Sequence, residues 1–346
     1  MAVRLIDVAR VAKVSRSTAS NVFSNPDRVR PKLRKRVEDA AKALGYAGPD
    51  PIGRILRAGK VNSIGVVVPG QWGVADTLRS PAFVQFLQGV AQACDAAGAN
   101  MALLPDAPNA RGISSAIVDG FIFGRIEQLE QLESAHLRRL PFAVVDFNAG
   151  PEVNAVMVDA RAGAKSALQH LIELQHRRFA FVSFMRGVGP AQLLPPSADR
   201  DLAGVGIQID QEKLAGAAAA LAEAGLNMDD VPIVHAEPWD ETAAKLLLDS
   251  APDATAIFSL SAMQAIAVIK EARLRNINVP ADLSVVGFND IPEAALCNPP
   301  LTTLDSRPIE KGRIAAGFVL AGEHGRQHIL SPKLIIRQST AQARER

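Results

Sequence analysis

The side chains with the clearest chemical potential lie near the amino end, where polar and apolar residues alternate at helical spacing. We predict a helix from Arg16 to Ser24, with Ser15 as its N-cap because a serine hydroxyl can accept hydrogen bonds from free backbone N–H groups. The polar side of this helix carries Arg16, Ser17, Ser20 and Asn21. In a major groove Arg can pair with guanine and Asn with adenine, while hydroxyls such as those of Ser17 and Thr18 suit phosphate oxygens. The pattern fits a helix that reads DNA and fits equally well a solvated helix face without this function.

No catalytic, cofactor-binding or metal-binding pattern accompanies this helix. The chain has no GxGxxG followed by an acidic residue, no GxxxxGK followed by Ser or Thr, no HExxH and no GxSxG. Its two cysteines, Cys94 and Cys297, form no CxxC pair, so we interpret them as reduced thiols that serve packing. We therefore expect no enzyme, no metal and no cofactor, and turnover of a small molecule would contradict this expectation.

Charge is divided unequally along the chain. Residues 1–60 carry fourteen Lys/Arg and five Asp/Glu, whereas residues 61–346 carry 24 and 31. A basic segment joined to an acidic remainder indicates that only the basic segment meets a polyanion such as DNA. The first turns contain Arg4, Asp7, Arg10 and Lys13, so no export signal is expected there. No run approaches the ~20 apolar residues of a membrane span, and the expected location is the cytoplasm.

Two different sequence patterns predict two kinds of domain. Residues 5–46 have the pattern of three short helices, and the third begins near Pro31, which suits a first helical position. From Ser63 onward, apolar runs alternate with helical patterns, which predicts parallel sheets covered by helices on both faces. The predicted strands are Ile64–Val68, Gly120–Phe123, Phe142–Val145, Ala155–Val158, Phe179–Ser183, Ile233–His235, Ala256–Phe258 and Leu283–Phe288. So many βα units favour two doubly wound sheets, with a ligand cleft between them at the carboxyl ends of the strands.

The segment IDVARVAKVSRSTASNVFSNPDRVRPKLRKRVEDAAKALGY, residues 6–46, resembles the helix-turn-helix head of the LacI/GalR family almost end to end. The resemblance implies a transcription regulator that binds double-stranded operator DNA as a homodimer. The residues it assigns to DNA binding in this head are Ser15, Arg16, Ser17, Thr18, Ser20, Asn21 and Arg30. Arg4, Lys13 and Arg30 replace the family's usual N-cap Thr, turn Gly and helix-starting Ser. Each change adds positive charge, so phosphate affinity should be retained or raised.

Residues 48–60 resemble the family's hinge, a short helix that enters the minor groove. The resemblance implies that Leu56 is an apolar wedge that two subunits insert side by side, with Arg54 beside it on the DNA. An ordinary buried leucine is the alternative for Leu56. Gly53 stands where Ala is usual and costs roughly 1 kcal/mol inside a helix. We therefore expect the hinge to fold only on the operator, and protected hinge amides in DNA-free protein would contradict this.

The resemblance continues over nearly all of residues 62–340, for example in SIGVVVP at 63–69 and VPADLSVVGFND at 279–290. It implies a periplasmic-binding-protein-like sensor of type I over residues 61–340, responsible for effector binding and dimerisation. We expect the first subdomain at about 61–158 and 290–322, and the second at about 159–289 and 323–340. The expected fold is a small all-α head (1–47), a hinge (48–60) and an α/β sensor with two doubly wound parallel-sheet subdomains. The segment RQSTAQARER contains no apolar heptad for tetramer formation, so a dimer is predicted. A solute receptor without DNA function would share this body, but it would need an export signal and no basic head.

The effector pocket implied by the resemblance is altered in this chain. The residues it places there are Trp72, Ala82, Phe83, Asp146, Lys213, Trp239, Ala262 and Asn289. Lys213 replaces an Arg and Ala262 an Asp, which removes the pair that typically holds sugar hydroxyls. A Pro/Gly-rich insertion at about 186–209 lies beside the pocket, and such long loops are more often functional than accidental. Three alternatives stay open: a non-sugar effector, a sugar-like effector held differently, or no small molecule. Trp239, taken alone, fits a core residue better than a ligand platform.

Overall fold

The computed structural model describes residues 3–48, 59–70, 72–106, 112–126, 129–184, 189–200, 202 and 206–344. The chain forms two compact units, Met1–Val61 and Asn62–Arg346. Within the described ranges, no helix is long and apolar enough to cross a membrane.

The first unit is a bundle of three helices, α1 (Leu5–Val11), α2 (Arg16–Ser24) and α3 (Pro31–Leu44), with a 3-10 turn at Pro26–Arg28. Small and branched residues form its core: Val8, Ala9, Ala12, Ala19, Val22, Val37, Ala40 and Ala41. The Ser15 hydroxyl accepts a hydrogen bond from the Thr18 amide at 3.1 Å, so α2 begins where the N-cap pattern predicts. Pro31 is the first residue of α3, and Gly45 ends that helix with a left-handed φ of 66°. The predicted helical head is confirmed.

The second unit contains two largely parallel sheets. The strands are β1 (Ser63–Pro69), β2 (Asn100–Asp106), β3 (Gly120–Phe123), β4 (Phe142–Val145), β5 (Asn154–Val158), β6 (Phe179–Phe184), β7 (Gln192–Leu194), β8 (Ile233–Ala236), β9 (Ala256–Ser259), β10 (Ser284–Phe288), β11 (Thr302–Asp305), β12 (Gln327–Leu330) and β13 (Lys333–Ile335). The first sheet has the order β12-β5-β4-β3-β1-β2, and the second has the order β13-β11-β10-β9-β6-β8-β7. The predicted α/β architecture with two sheets is confirmed.

Helices cover both faces of each sheet. They are α4 (Gly73–Thr77), α5 (Pro81–Ala97), α6 (Gly112–Ser115), α7 (Glu133–Arg138), α8 (Ala160–Glu173), α9 (Gln208–Glu223), α10 (Thr242–Ser250), α11 (Ala262–Leu274), α12 (Pro292–Leu296) and α13 (Pro308–Ala321). In β6, Phe179 and Phe181 belong to the core on one face, while Ala180 and Val182 belong to the core on the other. Burial on both faces is the reason that such strands have continuous apolar sequences.

The last crossings between the sheets differ from our prediction. We place residues 290–322 in the first subdomain, and α13 packs against α5 there, but β11 pairs with β10 in the second sheet. We place residues 323–340 in the second subdomain, but β12 pairs with β5 in the first sheet. The physical reason is visible in β12, where Gln327, His328 and Ile329 are exposed, so this edge strand has no apolar run to mark it.

Candidate DNA-reading surface and ligand cavity

The surface of α2 presents polar side chains of the kind that contact a DNA groove. Arg16, Ser17 and Asn21 are exposed, and Thr18 and Ser20 are half-buried. The Ser15 hydroxyl oxygen lies 2.8 Å from the hydroxyl oxygens of both Ser17 and Thr18. The amino end of α2 therefore combines a row of hydroxyl groups with the free N–H groups of a first helical turn, which favours phosphate oxygens.

Exposed cations lie on either side of α2 in the sequence. Arg30 is the exposed N-cap residue of α3, and Lys32 is exposed on its first turn. Lys13, in the turn between α1 and α2, has a left-handed φ of 51°. The guanidinium of Arg36 donates to the Lys13 carbonyl at 3.4 Å, which ties α3 to this turn. Arg30, Lys32 and Lys13 are thus available to phosphate groups.

Two other cations of α3 have partners on the same helix. Arg34 pairs with Glu38 at 2.7 Å, and Lys35 pairs with Asp39 at 2.9 Å. These i,i+4 pairs support the helix, and their carboxylates offset the positive charge that the sequence alone suggests. Two residues predicted to contact DNA, Arg54 and Leu56, lie outside the described residues together with most of the hinge.

A cavity of about 160 Å³ lies between the two sheets of the second unit, at the carboxyl ends of their strands. From the first sheet it is lined by Pro69 at the end of β1 and by Asp146, which follows β4. From the second it is lined by Phe184 at the end of β6 and Asn289, which follows β10. The predicted effector residues that line it are Trp72, Ala82, Phe83, Asp146, Lys213, Ala262 and Asn289. The cavity occupies the place where doubly wound sheets bind ligands.

Two buried ion pairs face this cavity. The ammonium group of Lys311, 5% exposed, pairs with the carboxylate of Asp146, and Lys213, 3% exposed, pairs with Asp210 at 3.0 Å. Lys213 also donates to the carbonyl of Leu260 at 3.3 Å. Burial lowers the pKa of Lys213, and the neighbouring carboxylate of Asp210 opposes that change. Asp146 and Lys213, both predicted to hold an effector, therefore already have protein partners.

Two tryptophans connect the subdomains at this cavity. Trp72 follows β1 of the first sheet, Trp239 follows β8 of the second, and their ring centroids are 5.1 Å apart at an interplanar angle of 66°. The guanidinium of Arg125 lies 4.7 Å from the Trp72 ring, and that of Arg79 lies 5.1 Å from the Trp239 ring. Trp239, which we predict to contact the effector, is not among the residues that line the cavity; it packs against the lining residue Trp72 instead.

Sequence reasoning missed several residues of the cavity. They are Arg125, Asp210, Lys311 and Ser306, whose hydroxyl donates to the side-chain carbonyl of Asn289. The i,i+3 spacing of Asp210 and Lys213 was a usable signal, because such residues are neighbours on a helix. Nothing local marks Lys311, since its partner is 165 positions away in the sequence.

Both units match known protein families. Residues 4–48 match the model described as bacterial regulatory proteins, lacI family, and residues 168–340 match the periplasmic binding protein-like domain. An HTH-type transcriptional regulator of Mycobacterium tuberculosis is 32% identical over 330 residues, covering 91% of this chain and 90% of its own length. The HTH-type transcriptional repressor CytR of Escherichia coli K12 is 29% identical over 353 residues, covering 96% and 95%. The lac repressor dimer bound to operator and the anti-inducer ONPF has the same fold, with a TM-score of 0.79 at 20% identity, covering 99% of this chain and 100% of that one.

Proposed function

The chain belongs to the lacI family of bacterial regulatory proteins, and on that premise we propose that it represses transcription from palindromic operators, which it binds as a homodimer. Like its relatives it is a DNA-binding transcriptional regulator and not an enzyme. We propose that it acts in the cytoplasm and that a small molecule in the sensor cavity controls its affinity for the operator.

The observation that carries this proposal is the exposed polar face of α2. A helix capped by Ser15, with a buried apolar face and with Arg16 and Asn21 in solvent, has the donors and acceptors that distinguish base pairs in a major groove. We assign base contacts to Arg16, Ser20 and Asn21, and phosphate contacts to Ser15, Ser17, Thr18 and Arg30. We assign Arg54 and Leu56 of the hinge to the minor groove.

Control by a ligand follows from the position of the cavity. A molecule held by residues of both subdomains binds differently to open and closed arrangements, so it shifts the population between them. That shift changes the placement of the two hinges in a dimer and couples ligand affinity to DNA affinity in both directions. The proposed ligand contacts are the predicted residues that line the cavity, namely Trp72, Ala82, Phe83, Asp146, Lys213, Ala262 and Asn289.

A gel-shift titration of the full chain on mixed duplex fragments tests the DNA-binding proposal. We expect binding at low ionic strength. The logarithm of the association constant should fall linearly with the logarithm of the salt concentration, with a slope of about −0.9 for each phosphate neutralised. If no duplex is shifted even at low ionic strength, the proposal is wrong, and the sensor would have to be explained as a solute receptor.

A further inference from the structure

Both carboxylates of the cavity already accept hydrogen bonds from protein donors. One carboxylate oxygen of Asp146 accepts from Lys311 and the other from the Val158 amide at 3.1 Å. Asp210 likewise accepts from Lys213 at 3.0 Å and from the Ile207 amide at 3.1 Å. A sugar hydroxyl would therefore share each carboxylate with a lysine ammonium and a backbone amide, which occupy about two of its four acceptor sites.

The donors of the cavity are less fully used. An ammonium group has three N–H donors, and within the described ranges Lys311 has one hydrogen-bond acceptor, Asp146, although the residue is only 5% exposed. The indole N–H of Trp72 is buried and has no acceptor among the described residues. A buried donor without an acceptor carries a desolvation cost, which a ligand oxygen would remove. The cavity therefore favours a molecule that brings acceptors.

Apolar side chains form much of the remaining wall, although Arg125 and several serine hydroxyl groups also line the cavity. Phe83, Phe86, Phe184 and Ile291 line it, together with Pro69. Its volume of about 160 Å³ is close to that of an apolar protein cavity of about 150 Å³ that accepts benzene. One ring-sized apolar group with a small polar substituent fits this space.

From these three observations we propose that the effector of this chain is a small carboxylate with a ring-sized apolar body, and not a sugar. Its carboxylate oxygens accept hydrogen bonds from Lys311 and Trp72, and its body packs against the phenylalanine walls. This inference rests on the proposed function, in which the cavity is the effector site.

The chain supplies its own probe for the test. Of its two tryptophans, Trp72 lines the cavity and Trp239 packs against Trp72, so their emission should report binding there. We would titrate the full chain with benzoate and cyclohexanecarboxylate, with the neutral partners benzyl alcohol and cyclohexylmethanol, and with D-ribose and D-glucose. At least one carboxylate should change the emission saturably and bind tenfold or more tightly than its alcohol, because a hydrogen bond to a charged group contributes about 1.5–3 kcal/mol. The sugars should have no effect.

Two variants locate the contacts. Trp72→Phe keeps an aromatic wall and keeps Trp239 as the reporter, so the loss of the indole donor should weaken carboxylate binding about two- to tenfold. The double variant Asp146→Asn with Lys311→Met leaves no unpaired buried charge, keeps an acceptor for the Val158 amide, and should abolish the preference for carboxylate over alcohol. The matched control Lys165→Met with Glu223→Leu removes a surface ion pair of 2.6 Å and should keep that preference.

Two outcomes overturn the inference. One is that no carboxylate binds more tightly than its alcohol, and the other is that a sugar binds saturably. Duplex binding is measured on the same samples at low ionic strength. Binding to duplex without a carboxylate preference refutes the ligand class alone, whereas absent duplex binding refutes the proposed function.

Discussion

At the residue scale, the exposed side chains of the head should differ in what they contribute to DNA affinity. Arg16→Ala should cost about 1–3 kcal/mol on the preferred sequence and relax the choice of base at one position, because Arg reads a base edge. Arg30→Ala should weaken binding about equally on all sequences, because it loses one phosphate contact. For the same reason the slope of log association constant against log salt concentration should become shallower by about 1. Quantitative binding at several salt concentrations on preferred and altered duplexes separates the two.

The control for this pair is Lys42→Ala, in the last turn of α3. It removes the same unit of charge from the same unit of the protein, far along α3 from Arg30. Unchanged affinity in this variant is expected; an equal loss in all three variants would mean that only the total charge of the head matters.

A buried histidine gives the sensor a pH-dependent stability. His176 is 2% exposed, and its Nε2 donates to the carbonyl of Ala341 at 3.0 Å while Nδ1 accepts from the Thr255 hydroxyl at 3.0 Å. Burial lowers the pKa of His176 below its ordinary value of 6.5. The unfolded chain therefore takes up a proton at a higher pH than the folded chain, so the free energy of unfolding is constant above about 6.5 and falls as the pH falls below it.

Urea unfolding at about pH 8 and about pH 5 measures this effect. From the higher pH to the lower, the free energy of unfolding of the His176→Gln variant should fall less than that of the parent chain. The variant should already be less stable than the parent at the higher pH. Burial also lowers the pKa of His170 and His235, so part of the fall should persist. His328→Gln, at an exposed position, should lose as much unfolding free energy at the lower pH as the parent chain does. An equally large loss in His176→Gln would contradict the claim that His176 causes part of the pH dependence.

Residues of the cavity show where sequence reasoning stops. The resemblance leads to Asp146, Lys213 and Asn289, and all three line one cavity. It gives no warning that Lys311 pairs with Asp146, because that contact depends on how α13 packs across the first sheet. Hydrogen bonding between distant segments is a property of the packed structure and leaves no local pattern.

At the scale of the elements, the turn between α1 and α2 stores backbone strain. Lys13 has a φ of 51°, a conformation that costs an L-residue roughly 1–2 kcal/mol. We predict that Lys13→Gly is more stable than Lys13→Ala by about 1 kcal/mol, since both variants lose the same side-chain charge and differ in the backbone. Hydrogen exchange of α1 and α2 amides in the full chain gives the opening free energies.

The matching pair at Lys42, inside α3, should have the opposite order. There Gly should be less stable than Ala by about 1 kcal/mol, because the backbone is helical. The same order at both positions would show that strain at Lys13 does not contribute.

Elements with a strong local pattern were predictable and edge elements were not. The N-cap Ser15, the helix-starting Pro31 and the central strands carry local signals that the structure confirms. The short strand β7, within the insertion, pairs antiparallel with β8 at the sheet edge. Edge strands such as β7 and β12 are half-exposed, so their sequences lack the apolar run on which strand prediction depends.

At the scale of the whole molecule, the chain consists of a basic three-helix unit and a second unit that contains two sheets. The two sheets exchange strands near the carboxyl end, where β11 joins the second sheet and β12 the first. β11 and β12 therefore lie in different subdomains, and the chain between them crosses from one subdomain to the other. The two-sheet plan is predictable from the βα alternation, but the order of these late crossings is not, because either sheet could accept a short polar edge strand.

The most direct test of the account is selection of duplexes bound by the full chain from a random library, followed by titration of the recovered sequence with the parent chain and with Asn21→Ala. We predict a two-fold symmetric motif, because a symmetric dimer presents α2 twice. We also predict that Asn21→Ala loses about 1–3 kcal/mol of binding free energy on duplexes with the preferred base at the contacted position, and little on duplexes with another base there. Recovery of no motif, together with absent binding to every duplex at low ionic strength, would contradict the claim that α2 reads DNA.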